Sequence, residues 1–293
     1  MWKLLQFEVY KIFKKPRTYI AFAAIAAIVL LIQVALLING KEYVKFMLSS
    51  LDDTLEIPYT QIRNGYWICF AILNLLLIHV PILVALVAGD VIAGEANMGT
   101  LRLLLTKPLS RTKVMLTKFL ACVIYTLLLL LWMAFLSLAV SVLLFGTNDL
   151  VVSKEVELLQ IEKIDVLWRY MAAFGFAAIA LIVVAALAFL LSAISENSIG
   201  PIVATVSIII VFTIMSEMRI PIYDNTIKPY LFTTHMLGWK GFFYIKADED
   251  GQTIRGSIQN LPYIMRSMAI LIGYIILFVG GAIFIFNRKD ILS

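Results

Sequence analysis

Glu95, Gly99, Thr100 and Leu101, followed by Pro108, Ser110, Arg111 and Lys118, lie in a charged interruption between two uncharged runs, GDVIAGEANMGTLRLLLTKPLSRTKVMLTKF at 89–119. These residue types do not make a catalyst. The run from Ala96 to Leu105 has the spacing of a short helix that shows Met98, Leu101, Leu104 and Leu105 on one side. Thr106-Lys107-Pro108 ends it, because the residue before a proline is pushed out of the helical region. Ser110 suits the N-cap of the next helix. Arg111 and Lys118, seven apart, share a face on which long basic side chains can snorkel to headgroups. A short apolar helix on a charged connection exposes surface that something must cover. Its chemistry is that of docking, to a protein arriving from outside the bilayer or to the membrane surface.

No other stretch offers reaction chemistry. The Gly-x-x-x-x-Gly-Lys-Ser/Thr cradle for phosphates does not occur, and Gly40-Lys41 lacks the upstream glycine. With two histidines, two cysteines and no close carboxylate pair at membrane depth, no catalytic or metal-ligating set forms. The expectation is a chain that is not an enzyme and binds no cofactor. Asn74, His79 and Pro81 fall together in one uncharged run. Pro81 lacks an N–H and frees the carbonyl of Leu77. The three residues suit a pathway or hinge. Equally, Asn74 and His79 can bond neighbouring helices while Pro81 fixes a kink.

Composition sets the frame for these residues. Of 293 residues, 62% are apolar and 15% charged, against about half and a quarter in soluble domains. The apolar excess falls in six blocks without Asp, Glu, Lys or Arg: Tyr19–Ile38, Tyr66–Gly89, Phe119–Phe145, Tyr170–Ser195, Ile199–Ser216 and Ser267–Asn287. Each is close to the 20 or so residues that carry a helix across the hydrocarbon core. In lipid the backbone must satisfy its own hydrogen bonds, so such runs are helices. The expected fold is an all-α polytopic membrane protein with six transmembrane helices.

Charge orients it. Twelve of the 24 Lys and Arg residues fall in 1–18, 90–118 and 288–293, and 14 of the 19 acids fall in the loops at the other face. By the positive-inside rule both termini are cytoplasmic, in a multi-pass protein of the cell membrane. The net charge of +5 is small and suggests no nucleic-acid partner. Residues 1–18 read as an amphipathic interfacial helix, with Trp2, Leu5, Val9, Ile12 and Phe13 on the apolar side and Lys3, Gln6, Lys11 and Lys14 on the other. Pro16 stops it, and the following apolar run, with no small-residue cleavage pattern, reads as an uncleaved span. Residues 19–293 form the six-span domain, with 90–118 inside and the long loop 217–266 outside. That loop is rich in aromatics and should be packed. Outer loop 146–169 has helical spacing at Leu158, Ile161, Ile164 and Trp168. Cys69 and Cys122 fall near opposite ends of their spans, too far apart to bridge.

The pattern Glu95-x-x-x-Gly99-Thr100-Leu101, Pro108-x-Ser110-Arg111 and Lys118 resembles that of the ABC-2 family of permease subunits, the membrane halves of ABC exporters. The six-span layout and the basic N-terminal helix are similar too. The resemblance implies a coupling helix at Glu95–Leu105, with Leu101 and Leu104 in it, that docks in a groove of a separate cytoplasmic ATPase. Pro108 to Arg111 becomes the turn into the third span, and Lys118 the basic group at its inner end. The N-terminal helix corresponds to the family's elbow helix. The implied partners are the ATPase, which uses the ATP, a second permease protomer, identical or related, and membrane lipid. Two other functions fit six spans: an ion-coupled secondary transporter, which the near absence of mid-membrane charge and of an internal repeat disfavours, and a non-transporting anchor for a cytoplasmic partner.

Overall fold

A computed structural model of the chain describes residues 2–48, 64–100, 110–154, 157–218, 226–246 and 253–289, with backbone alone at 41–48, 153–154 and 157–158. It is an all-α polytopic membrane protein, and six of its helices are long and apolar enough to cross a bilayer. The N-terminal helix α1 (Trp2–Lys14) meets α2 (Pro16–Leu48) across a single residue. Pro16 opens α2, where its missing N–H costs nothing. The first span ends at Gly40, just past a kink at Asn39. The second is α3 (Gly65–Ala88), and a five-residue helix, α4 (Ala93–Asn97), follows it. The third comprises α5 (Arg111–Ala134), a π-helical stretch Phe135–Val140 and α6 (Ser141–Phe145). Then come α7 (Lys163–Ile194), α8 (Ile199–Glu217), the short α9 (Phe232–Met236) and α10 (Leu261–Arg288).

The helices run beyond the uncharged blocks that announce them. Lys163, Asp165 and Arg169 are all helical in α7, because a charged residue at a bilayer boundary ends the apolar run but leaves the backbone ladder intact.

α7 is the central post, packed against α3, α5, α8 and α10. Small residues, including Ala177, Ala180, Ala185 and Ala188, are buried along it and let neighbouring backbones approach, which is how membrane helices gain contact without a hydrophobic drive between them. α1 packs on α5. In the third span the π turn accompanies a buried polar contact: Gln33 of α2 donates to the Leu136 carbonyl and to Ser141 Oγ, both at 2.9 Å. A π turn disrupts the regular i→i−4 ladder and makes such carbonyls available.

At the end of the bundle away from the termini, the structure departs from the helical spacing of Leu158, Ile161, Ile164 and Trp168. Only Ile164 and Trp168 are helical, at the start of α7. Leu158 and Ile161 lie in β2 (Glu157–Ile161), which pairs antiparallel with β1 (Leu150–Lys154), Leu150 opposite Ile161. Leu150, Val152 and Ile161 are buried, so alternation along the hairpin governs there. The aromatic-rich stretch is packed as expected. Trp239 and Phe243, in the 3-10 turn Leu237–Phe243, are fully buried and pack at tilted and edge-on angles around Phe70. Arg169 holds this cap down: wholly buried, it bonds Asp165 and donates to the carbonyls of Phe242 at 2.6 Å and Ser257 at 2.8 Å.

Candidate functional site

Four ionised side chains meet where α1, α4 and α5 converge, at the end of the bundle that carries both termini. α1 brings Glu8 and Lys11, which sit three apart on one helical face. α4 brings Glu95 and α5 brings Lys118. Lys118 Nζ lies 2.7 Å from Glu95 Oε1 and 2.9 Å from Glu8 Oε2. Lys11 Nζ lies 2.7 Å from Glu8 Oε1 and 2.5 Å from Glu95 Oε1. Each lysine therefore bridges both carboxylates and each carboxylate meets both lysines, a closed and neutral ring. Burial pulls the Lys11 ammonium down, but its bonds to Glu8 and Glu95 more than reverse this, and its pKa stands above the ordinary lysine value. The ring crosses three elements, so none can shift alone without separating buried charges.

A second ion-pair set lies beside it. Asp90, buried between α3 and α4, meets Lys15 at 2.6 Å and Arg17 at 3.0 Å, both from the junction of α1 and α2. α4 is too short to stand by itself, and its surroundings satisfy its ends. Ser192 of α7 accepts from the amides of Ile92 at 3.2 Å and Ala93 at 2.9 Å, donors that the start of a helix leaves without partners. Gly94 leaves room for the Asp90 carboxylate, since a Cβ there would stand 2.5 Å from Asp90 Oδ1. At the far end Gly99 takes φ +69°, and a Cβ at that position would meet nothing within 4 Å. Its amide bonds the Ala96 carbonyl at 3.0 Å. Gly99 is thus the left-handed residue that ends α4.

This changes the expected short helix. Ala96 belongs to α4, Gly99 breaks the run, and a helical residue resumes at Thr100. Leu101, Leu104, Leu105 and Pro108 lie outside the described residues. Between α1 and the stretch 91–100 runs a groove of about 520 Å³, with Phe7, Ile12, Val91 and Met98 along it and the ring at its side. Met98 is exposed and Thr100 bonds back to the Glu95 carbonyl.

The remaining predicted residues fall in several places. Glu95 and Lys118 come together. Lys118 does not snorkel as expected: it is fully buried, because Glu8 and Glu95 supply inside the protein the partners that headgroups would supply outside it. Arg111 also points inward, donating to the carbonyls of Asn287 at 3.2 Å and Lys289 at 3.0 Å, at the end of α10. A guanidinium suits the orphan acceptors of a helix C-terminus. Ser110 caps α5, accepting from Lys113 at 3.4 Å. Glu196, in the α7–α8 turn, lies 3.9 Å from Lys289. Among the described residues Asn74 and His79 bond no neighbouring helix: Asn74 donates to Phe70 and His79 contacts the Leu75 carbonyl, each four residues back on α3, and His79 is exposed. Pro81 is buried. Cys69 and Cys122 are both free and buried. Four further members of the site carry faint sequence signals. Glu8 is the lone acid among the bases of α1, and Lys11 follows it by three. Asp90 and Ser192 are single polar residues at the ends of apolar runs.

Residues 18–292 match a family described as a protein of unknown function, DUF2705. The chain belongs to that family. The match takes in Asp90, Glu95, Lys118 and Ser192 and leaves α1, with Glu8 and Lys11, ahead of it. The chain is also similar to an uncharacterized protein, YhcI, of Bacillus subtilis (strain 168), with 28% identity over 119 residues, 39% of this chain. The match spans 37% of that relative's own length.

Proposed function

We propose that the chain is the permease subunit of an ATP-driven ABC exporter, paired with a second permease protomer and with separate cytoplasmic ATPase subunits. The observation that carries this reading is the ring. The stretch that resembles a coupling segment is tied through Glu95 to the base of the third span at Lys118 and to the N-terminal helix at Glu8 and Lys11. It is exposed at Met98 beside an open groove. A partner that seats on Met98 and the residues after it can displace α4, and the ring passes that displacement to α5 and α1. Apolar contact supplies the grip and the buried ion pairs supply the linkage. ATP stays on the partner, and this chain carries no reaction of its own. The termini lie in the cytoplasm, the outer cap faces outward, and the substrate runs between protomers, lined in part by the second and fifth spans.

The test is purification of the tagged full-length chain from its native membrane, with identification of what accompanies it. An ABC-type ATPase should co-purify, and Met98→Asp or Leu101→Asp should release it at unchanged membrane abundance, since interface energy concentrates in a few buried apolar contacts. Undiminished ATPase recovery from both variants overturns the reading. If an ATPase does bind, a transport assay with the reconstituted pair separates a permease from a mere anchor.

A further inference from the structure

The face of α1 that the protein leaves uncovered is not the apolar one expected from the sequence. Leu5, Glu8 and Ile12 are buried against the bundle. Turned outward are Lys3, Phe7, Tyr10 and Lys14, spaced four, three and four apart, which sets them in one stripe along the helix. Phe7 and Tyr10 are 53% and 60% exposed, and the two lysines at either end are exposed as well. Lys14 sits over the Tyr10 ring, 5.8 Å from its centroid, and Lys11 over the Phe7 ring at 4.8 Å. Base and ring are therefore presented together.

The charge of this stripe is uncompensated. Glu8, the acid of the helix, is buried in the ring, and the nearby Glu95 and Asp90 are also buried and paired. Among the described residues no carboxylate pairs with Lys3 or Lys14. A surface that consumes its acids internally and shows bases outward fits an anionic partner. Pro16 starts the first span two residues after α1 ends, so the stripe lies where the chain enters the bilayer. There aromatic rings sit at headgroup depth and ammonium groups reach the phosphates.

We propose that Lys3, Phe7, Tyr10 and Lys14 form a recognition surface for anionic phospholipid, and that the ring on the adjoining face of the same helix makes the mobility of 91–100 respond to bilayer charge. α1 has 13 residues and moves as one piece. Anchoring its outer face on anionic headgroups restrains Glu8 and Lys11, and through their contacts with Lys118 and Glu95 it restrains 91–100 as well. This inference does not rest on the export reading, since it concerns the lipid face of α1 and not what docks on 91–100.

The experiment is backbone hydrogen exchange on the full-length protein in nanodiscs of phosphatidylcholine alone and of phosphatidylcholine mixed with phosphatidylglycerol. With phosphatidylglycerol, exchange over residues 2–14 should slow by up to about fivefold for each lysine engaged, and exchange over 91–100 should slow with it. Lys3→Gln/Lys14→Gln, on an exposed face and therefore harmless to folding, should abolish both effects, as should high salt. Equal exchange in the two bilayers overturns the proposal, as does slowing that survives in the double variant. Slowing confined to 2–14 overturns the link through the ring. Protection that appears only on adding a soluble protein fraction, and not with phosphatidylglycerol, makes the stripe a protein contact and overturns the lipid assignment.

Discussion

Lys118 Nζ lies 2.7 Å from Glu95 Oε1, although 23 positions separate the two residues and a charged connection runs between them. Lys118 is fully buried, and its other partner, Glu8, comes from a third element. Removing the lysine leaves two carboxylates with one base. Lys118→Met should therefore destabilise the protein by about 3–5 kcal/mol, the usual cost of stranding a buried charge. Lys118→Met/Glu95→Gln leaves Glu8 paired with Lys11 and restores neutrality, so the double variant should be more stable than Lys118→Met alone. Thermal unfolding of the purified variants in one detergent checks the order. A double variant that loses the sum of the two single losses removes the ring as a unit.

The contact between Gly94 and Asp90 makes a second, separate demand. Gly94→Ala places a methyl carbon 2.5 Å from Asp90 Oδ1, and relief requires Asp90 to leave Lys15 and Arg17. The expected cost is about 1–3 kcal/mol, as for other overpacked sites. In an Asp90→Ala background the methyl group meets no carboxylate, and the same change should cost little. Additive losses in this cycle would show that the clash is not the cause.

The six spans are legible in the sequence because a long uncharged run has one structural solution in lipid. The residues 146–169 are less so. Four apolar positions there fit a helix, yet Leu158 and Ile161 pair in a hairpin, and only the pairing with Leu150 distinguishes the two. For the site, Glu95 and Lys118 stand out as charges flanking apolar runs, but their meeting does not. A basic residue at the end of a span reads as a headgroup ligand until a carboxylate from a distant element is known to reach it. Glu8 and Lys11 lie about 84–110 residues from the partners they contact, and no local pattern registers such a contact. Likewise, Gly99 in the sequence suits close approach by a docking partner, whereas its positive φ adds a separate demand, that of backbone conformation.

That distinction makes a third prediction. Because Gly99 has a φ of +69° and open space at its Cβ, size is not the constraint. Gly99→Asn should be tolerated, since asparagine visits the left-handed region readily, and Gly99→Val should cost about 1–2 kcal/mol. Thermal stability and membrane abundance of the two variants decide it. Equal damage from both would mean that bulk matters after all.

At the other end of the bundle, Arg169→Lys should fail to replace Arg169. The guanidinium reaches the Asp165 carboxylate and two backbone carbonyls at once, and an ammonium cannot match that planar fork. A stranded buried acceptor costs about 1–3 kcal/mol. The loss should appear as faster proteolysis within 226–260, with the six spans still inserted. Parent-like protease resistance in Arg169→Lys would mean that the cap is held by its aromatic packing alone.

The orientation of the bundle is open to direct measurement. Arg255, on the cap at the end away from the termini, and Lys113, at the start of α5, are both exposed and sit at opposite ends of the structure. Both native thiols are buried, so a cysteine introduced at either position is the reactive one. Twelve of the 24 bases fall in 1–18, 90–118 and 288–293, and by the positive-inside rule the Lys113 end is expected in the cytoplasm. An impermeant maleimide should therefore label Arg255→Cys in intact cells, and Lys113→Cys only once the membrane is opened. Arg255 pairs with Glu162 on the surface, where an ion pair contributes little, so its loss should leave insertion undisturbed. The reverse labelling pattern would put the ring, the groove and the lysine–aromatic stripe on the outside of the cell, beyond the reach of any cytoplasmic ATPase, and the export proposal would fall with them.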